Sequence, residues 1–169
     1  NEETDTGDII LTVFYQEMNY NYTLSDLETL PSSSGKGRYI KTKLLPDQVV
    51  LGDSYQYTGI PIPTLFDDIG IDDESYYVNI TASDGWTNTF TKNETQGFVD
   101  IYNESGNVTS QGTVTMILAY KENGQYYTEI DPNKEIGPLR VAFVSEHTPI
   151  TSSNLWVKMV TEIYVITDQ

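Results

Sequence analysis

The chain runs to 169 residues, of which 38 % are hydrophobic and 12 % aromatic, with 13 tyrosines and no cysteine. That length suits one compact domain able to bury roughly 70 % of the surface its unfolded form would expose, and the aromatics argue against disorder. Nine Lys and Arg against 25 Asp and Glu give a net charge of −16, which repels nucleic-acid phosphates and anionic lipid heads; the missing cysteines exclude disulfides, thiolate metal sites and a cysteine nucleophile.

An acidic tail, NEETDTGD (1–8), leads into a single domain over 9–169. Residues 9–15 (IILTVFY) are β-branched and aromatic and read as a strand. After NYNYT, Ser25 with Glu28 three residues on forms a capping-box pattern, which predicts a short helix closed by Pro31. SSSGKG (32–37) reads as a flexible loop. Over 38–45, Ile40, Thr42 and Leu44 alternate with Tyr39, Lys41 and Lys43, the pattern of a half-buried strand. In GIPIPTLFDDIG (59–70), Pro63 marks a helix start, Leu65, Phe66 and Ile69 share one face, and Gly70 is the stop. Residues 76–82 (YYVNITA) alternate again, and Ser83-Asp84-Gly85 turns the chain into WTNTFT. A polar stretch without strand alternation follows as far as residue 112. TVTMILAY (113–120) then reaches Asn123-Gly124, a type I′ hairpin signal, and returns as QYYTEI. PLRVAFV (138–144) and LWVKMVTEIYVIT (155–167) supply two more strands. No internal repeat or linker divides the chain, and no apolar run approaches the ~18–20 residues that span a bilayer.

Asn21, Asn79, Asn93, Asn103 and Asn107 each open an N-x-S/T sequon, and the last three crowd into 93–109. This density predicts an exported, N-glycosylated protein, extracellular or at the cell surface, whose signal peptide has been removed. The 93–107 sites lie in the most polar part of the chain. Asn79 lies on the strand face opposite Val78 and Ile80, so its occupancy is expected to be lower.

Several segments align in order with one family. ILTVFYQEMNYNYTLSDLETLP resembles the opening strand and short helix of the sulfite-oxidase-like oxidoreductase molybdopterin-binding domain. YTGIPIPTLFDDIGI is similar to its Trp/Tyr-x-Gly-Val-Pro-Leu helix, and YYVNITASDGWTNTFT to its strand and Asp-Gly-Tyr hairpin. TVTMILAYKENGQYYTEIDPNKEIGPLRVAF resembles the stretch ending in Gly-Pro-Leu-Arg, and LWVKMVTEIYV its closing Val-Lys-Trp strand. The resemblance covers roughly 9–167 and implies an α+β, mostly β fold with mixed sheets and two or three short helices. It also implies a cysteine ligand to molybdenum where this chain reads RYIKTKLLPDQ, with Leu44, Leu45 and Pro46 near the place. Leucine cannot supply a thiolate. The expectation is therefore a degenerate member without molybdenum.

Candidate sites are few. Arg38, Lys41, Lys43 and Arg140 are the cations near the matched segments that could hold a cofactor's phosphate. Arg140 reads either as an anion contact or, preferably, as a buried charge paired with a carboxylate. His147, the only histidine, lies in a polar loop without a nucleophile motif. Asp67, Asp68, Asp72, Asp73 and Glu74, and separately Asp131 with Glu135, make oxygen-rich segments that could bind Ca²⁺ but lack EF-hand spacing. A solvated acidic loop is the preferred reading of both.

Two functions follow. One is a non-catalytic exported module using the scaffold for a protein partner or for self-assembly at the cell surface, with N-linked glycans, no cofactor, no nucleic acid and no membrane span. The other is a cofactor- or anionic-ligand-binding protein that uses the inherited cleft.

Overall fold

The computed structural model describes residues 7–42 and 48–167; Lys43 and residues 44–46, which the sequence singles out, lie outside them. Strand β1 (Ile9–Tyr15) matches the predicted bounds and alternates, with Leu11 and Val13 buried. It turns at Gln16-Glu17, both at positive φ, into β2 (Met18–Thr23). Helix α1 (Leu24–Glu28) starts earlier than Ser25 implied. Thr23 ends the strand with its hydroxyl free to accept from the Asp26 N–H at 3.0 Å, and the Asp26 carboxylate accepts the Thr23 N–H in return.

The segment 32–37 is not a loop. It is the first half of β3 (Ser33–Thr42), which pairs with β5 (Tyr55–Pro61) and then with β4 (Val49–Leu51). Its small residues are there for room: a Cβ at Gly37 would run into the Phe143 carbonyl oxygen, and one at Gly35 would sit 3.0 Å from the Val144 Cβ. Propensity argued for a loop; close strand approach overrides it. Ile40 is buried as the alternation required, but Thr42 is exposed.

Helix α2 (Ile62–Ile69) has Pro61 as its N-cap and Pro63 in its first turn, and ends at Gly70, whose φ of 94° closes it in the left-handed conformation. It buries Leu65 and Phe66, each worth about 1.5–3 kcal/mol on removal from water. Strands β6 (Tyr77–Ala82) and β7 (Thr87–Thr91) follow the predicted hairpin. The polar stretch after them holds a one-turn helix, α3 (Lys92–Thr95), and a separate hairpin of β8 (Phe98–Tyr102) and β9 (Val108–Thr113). β9 is mostly exposed, so it carries no apolar alternation to read.

Strand β10 (Thr115–Glu122) reaches Asn123-Gly124, with φ of 52° and 83°. The return strand is short. β11 (Gln125–Tyr126) gives way at once to α4 (Tyr127–Ile130), where Glu129 accepts the Tyr126 N–H. β12 (Arg140–Val144) is buried throughout, β13 (Ile150–Ser152) adds a short strand, and a 3-10 turn at Ser153–Leu155 delays β14 (Val160–Ile166) beyond its predicted start.

The architecture is α+β and mostly β. Five strands form one sheet in the order β2-β1-β14-β6-β7, with β1 and β14 parallel. A seven-stranded sheet runs β11-β10-β5-β3-β13, with β12 beside β10 and β4 beside β3; β3 and β13 are parallel. Both sheets feed one contiguous apolar core, into which α1 and α2 contribute Leu24, Leu27, Leu65 and Phe66. No helix among the described residues is long and apolar enough to cross a membrane.

Candidate functional site: a cationic cleft over Arg140

Arg140 opens β12 directly after Gly-Pro-Leu. The loop before it is held by Asp131, whose carboxylate accepts the backbone N–H groups of Glu135 at 3.0 Å, Ile136 at 2.8 Å and Gly137 at 2.7 Å. Burial by itself would raise the Asp131 pKa; the three amide donors outweigh it and hold the carboxyl below the ordinary value. Both of its oxygens accept backbone N–H groups, which makes Asp131 a loop anchor. The Met159 N–H donates to the Ile136 carbonyl at 2.6 Å, tying this loop to the segment before β14.

The Arg140 side chain is 5 % exposed. Its guanidinium carbon lies 5.1 Å from the Trp156 ring and 5.9 Å from the Tyr39 ring. Its Nε is buried and has no hydrogen-bond partner. Among the described residues no carboxylate forms an ion pair with it, and the neighbours that meet its charge are aromatic. A planar, weakly hydrated guanidinium tolerates this because aromatic faces replace part of its hydration.

Trp156 is itself fixed. Its Nε1–H donates to the Thr151 hydroxyl at 2.7 Å, and its ring meets Tyr39 and Tyr57 edge-on at 5.5 and 5.3 Å. Burial pushes the Tyr57 and Tyr127 hydroxyls upward, against the lowering effect of the Arg140 charge, so both stay protonated.

Above Arg140 opens a cleft of about 510 Å³. The β3–β4 pair lines it with Tyr39, Lys41 and Val50; the β6–β7 turn with Ala82, Asp84 and Trp86; the 3-10 turn and its sequel with Trp156, Lys158 and Met159. Trp86 follows the tight Asp84-Gly85 turn, where its N–H donates to the Asp84 carboxylate at 3.0 Å, and it stands 48 % exposed at the rim. Among the described residues three Lys and Arg face this cleft against one carboxylate, although the chain carries −16 overall. Both tryptophans line it as well. Concave walls with an excess of positive charge concentrate the field there, against the acidic remainder of the chain.

The other sequence candidates lie elsewhere. Arg38 donates from Nε to the Gly52 carbonyl at 2.9 Å and approaches Glu104 at 3.8 Å; it braces β3 and does not line the cleft. His147 is exposed in the turn after β12, away from the cleft. Asp67 and Asp72 are exposed. Asp68 accepts from the Tyr22 hydroxyl at 3.0 Å and Asp73 from the Tyr15 hydroxyl at 2.5 Å, a bond that, as the main cause, pushes the Tyr15 pKa up to about 12. Lys92 Nζ caps the Asp73 and Glu74 carbonyls at 2.9 and 3.0 Å. Hydroxyls thus engage one carboxylate oxygen each of Asp68 and Asp73, and the lysine meets two backbone carbonyls. Among the described residues no group of three or more His, Asp or Glu is placed to hold a metal. With no cysteine in the chain, the donor set does not fit a molybdenum centre.

Trp86, Trp156 and Lys158 were not singled out from the sequence. The signals present were a tryptophan set directly after an Asp-Gly turn and a lysine in Val-Lys-Met, within the segment that resembles the family's closing strand.

No protein-family model and no curated protein matches the chain. Among sixteen matching solved chains is that of the sulfane dehydrogenase SoxCD from Paracoccus pantotrophus, with a TM-score of 0.63 at 15 % identity. The match covers 94 % of this chain and 38 % of that one. At this identity the likeness is one of fold. This chain spans well under half the length of that neighbour.

Proposed function

We propose that the chain is a non-catalytic binding module, a degenerate relative of the sulfite-oxidase-like domain, that holds a small anionic ligand in the cleft over Arg140. The observation that carries this reading is an arginine only 5 % exposed, with a buried and unpartnered Nε, beneath a cleft lined by Lys41 and Lys158. A buried cation without a counter-charge costs stability, and an anion seated above it removes that cost. The missing thiolate and the remote histidine favour binding over chemistry.

Export to the cell surface is part of the proposal. It is supported by the sequons, of which Asn21, Asn93, Asn103 and Asn107 are exposed. Asn79 is half-buried, with its side-chain oxygen accepting the Thr89 hydroxyl at 2.6 Å. The acidic remainder of the surface is then what a protein partner or a second copy meets.

Both tryptophans line the cleft, so their fluorescence reports its occupancy. Titration with inorganic phosphate at constant ionic strength is expected to give a saturable change. A strictly linear response, matched by sodium chloride, would remove the proposal.

A further inference from the structure

A second groove, of about 490 Å³, opens on the other side of the 3-10 turn Ser153–Leu155. Its floor is β8. Phe98, Asp100 and Tyr102 line it from alternate positions of that strand, with Gln111 of β9 directly opposite Asp100. Alternation at the strand rise sets the two aromatic residues roughly 13 Å apart with the carboxylate between them. Phe98 is 43 % exposed, although a ring of that size gains from burial. The Gln111 amide donates to Asp100 Oδ1 at 3.0 Å, which fixes both planar groups side by side. This leaves the second carboxylate oxygen and the amide oxygen to accept, and the second amide hydrogen to donate. Ser152 and Asn154 add to the lining from the region of the 3-10 turn, and Asn93 and Glu94 from α3.

The chemistry differs from that of the Arg140 cleft. Among the described residues no lysine or arginine lines this groove, while Asp100 and Glu94 do, so anions are disfavoured there. A purely apolar ligand would leave the Asp100–Gln111 pair desolvated. The groove calls for a ligand with an apolar face for each ring and hydroxyls around its edge. We propose that it binds a neutral saccharide. One pyranose face stacks on Phe98, the chain continues toward Tyr102, and adjacent hydroxyls bridge Asp100 and Gln111. The distance between the rings suits a short oligosaccharide better than one sugar. The site is independent of the anion reading and stands or falls separately.

Two sources could supply such a sugar: a free oligosaccharide, or a glycan on Asn93, whose sequon asparagine lies in the groove wall. The test uses the full chain in two forms, made without glycosylation and made with it. Each is titrated with cellotetraose and with N,N′-diacetylchitobiose, followed by amide shifts in NMR spectra, with a hyaluronate tetrasaccharide as the anionic control. The expected result is that a neutral probe shifts the amides of β8 and β9 in the unglycosylated form and that the control shifts none. Binding retained in the glycosylated form assigns a free saccharide; binding lost there and restored in Asn93→Gln assigns the chain's own glycan. Phe98→Ala, which removes a half-exposed ring without touching the core, is expected to weaken the interaction about tenfold. Gln111→Ala does so by a different contact. If neither neutral probe shifts β8 or β9 in any form, or if Phe98→Ala and Gln111→Ala both bind as the parent does, the proposal is wrong.

Discussion

Replacing Arg140 by methionine separates a binding residue from a structural one. The guanidinium stacks on Trp156 at 5.1 Å and Tyr39 at 5.9 Å. For a desolvated cation such contacts contribute about 2 kcal/mol. Against this stands the unpartnered buried Nε, which costs about 1–3 kcal/mol. Methionine keeps an unbranched stem, fills the same space and lays a polarizable sulfur against the rings. The opposing terms nearly cancel, so Arg140→Met is expected to change unfolding free energy by no more than about 1 kcal/mol, or about 2–4 °C in Tm for a chain of this length. An arginine held in a buried ion pair would behave otherwise: removal of one partner typically costs about 3–5 kcal/mol. Arg140→Ala is the contrasting variant, since it leaves a void beside Trp156 and is expected to be clearly less stable than Arg140→Met. Urea unfolding followed by far-UV circular dichroism measures all three without depending on Trp156. Repeating it with phosphate adds the functional arm. Ligand at a hundred times its dissociation constant stabilises the parent by about 2.7 kcal/mol and should leave Arg140→Met unchanged. A loss of 3–5 kcal/mol in Arg140→Met, or full phosphate stabilisation in it, refutes the argument.

Asp131 gives a pH prediction. Its folded pKa lies below the ordinary value, so its contribution is fully present above the unfolded-state pKa and is lost as pH falls through the folded one. Acid unfolding of Asp131→Asn should therefore show a shallower fall in stability below the ordinary carboxylate range, and a parallel curve would contradict this. Gly124 sits at φ 83° beside Asn123 at 52°, and Gly124→Val should cost about 1–2 kcal/mol in thermal unfolding because a β-branched residue tolerates that region poorly. An unchanged melting temperature would mean that the turn relaxes into another type. Peptide mapping of native material should find glycan on at least one of Asn93, Asn103 and Asn107, with lower occupancy at half-buried Asn79; five bare sequons would remove the support for export.

The elements legible from sequence are those whose burial is local. β1, α2 and the β6–β7 hairpin follow from alternation, from Pro63 and Gly70, and from the Asp84-Gly85 turn, because each signal concerns residues within one element. Elsewhere an element's form comes from distant partners, from exposure or from a competing cap. Residues 33–37 carry serine and glycine because β3 must pass close to Phe143 and Val144, more than a hundred positions away, and nothing within the hexapeptide says so. The β8–β9 hairpin is exposed on much of its surface, so no apolar rhythm announces it. The 127–130 segment turns helical under a Glu129 cap rather than completing a hairpin.

The cleft divides in the same way. Charge balance, the lack of cysteine and the position of Arg140 after Gly-Pro-Leu are properties of the sequence, and by themselves they exclude thiolate-bound metal and mark one arginine for attention. Whether that arginine faces a carboxylate or an aromatic pair depends on which strands become neighbours. β3 brings Tyr39, the 3-10 turn brings Trp156, and the β6–β7 turn brings Trp86, from three separate stretches of chain. Their convergence is set by strand pairing and packing, which are long-range, and only the tertiary structure gathers Lys41, Arg140 and Lys158 of an acidic chain into one cleft.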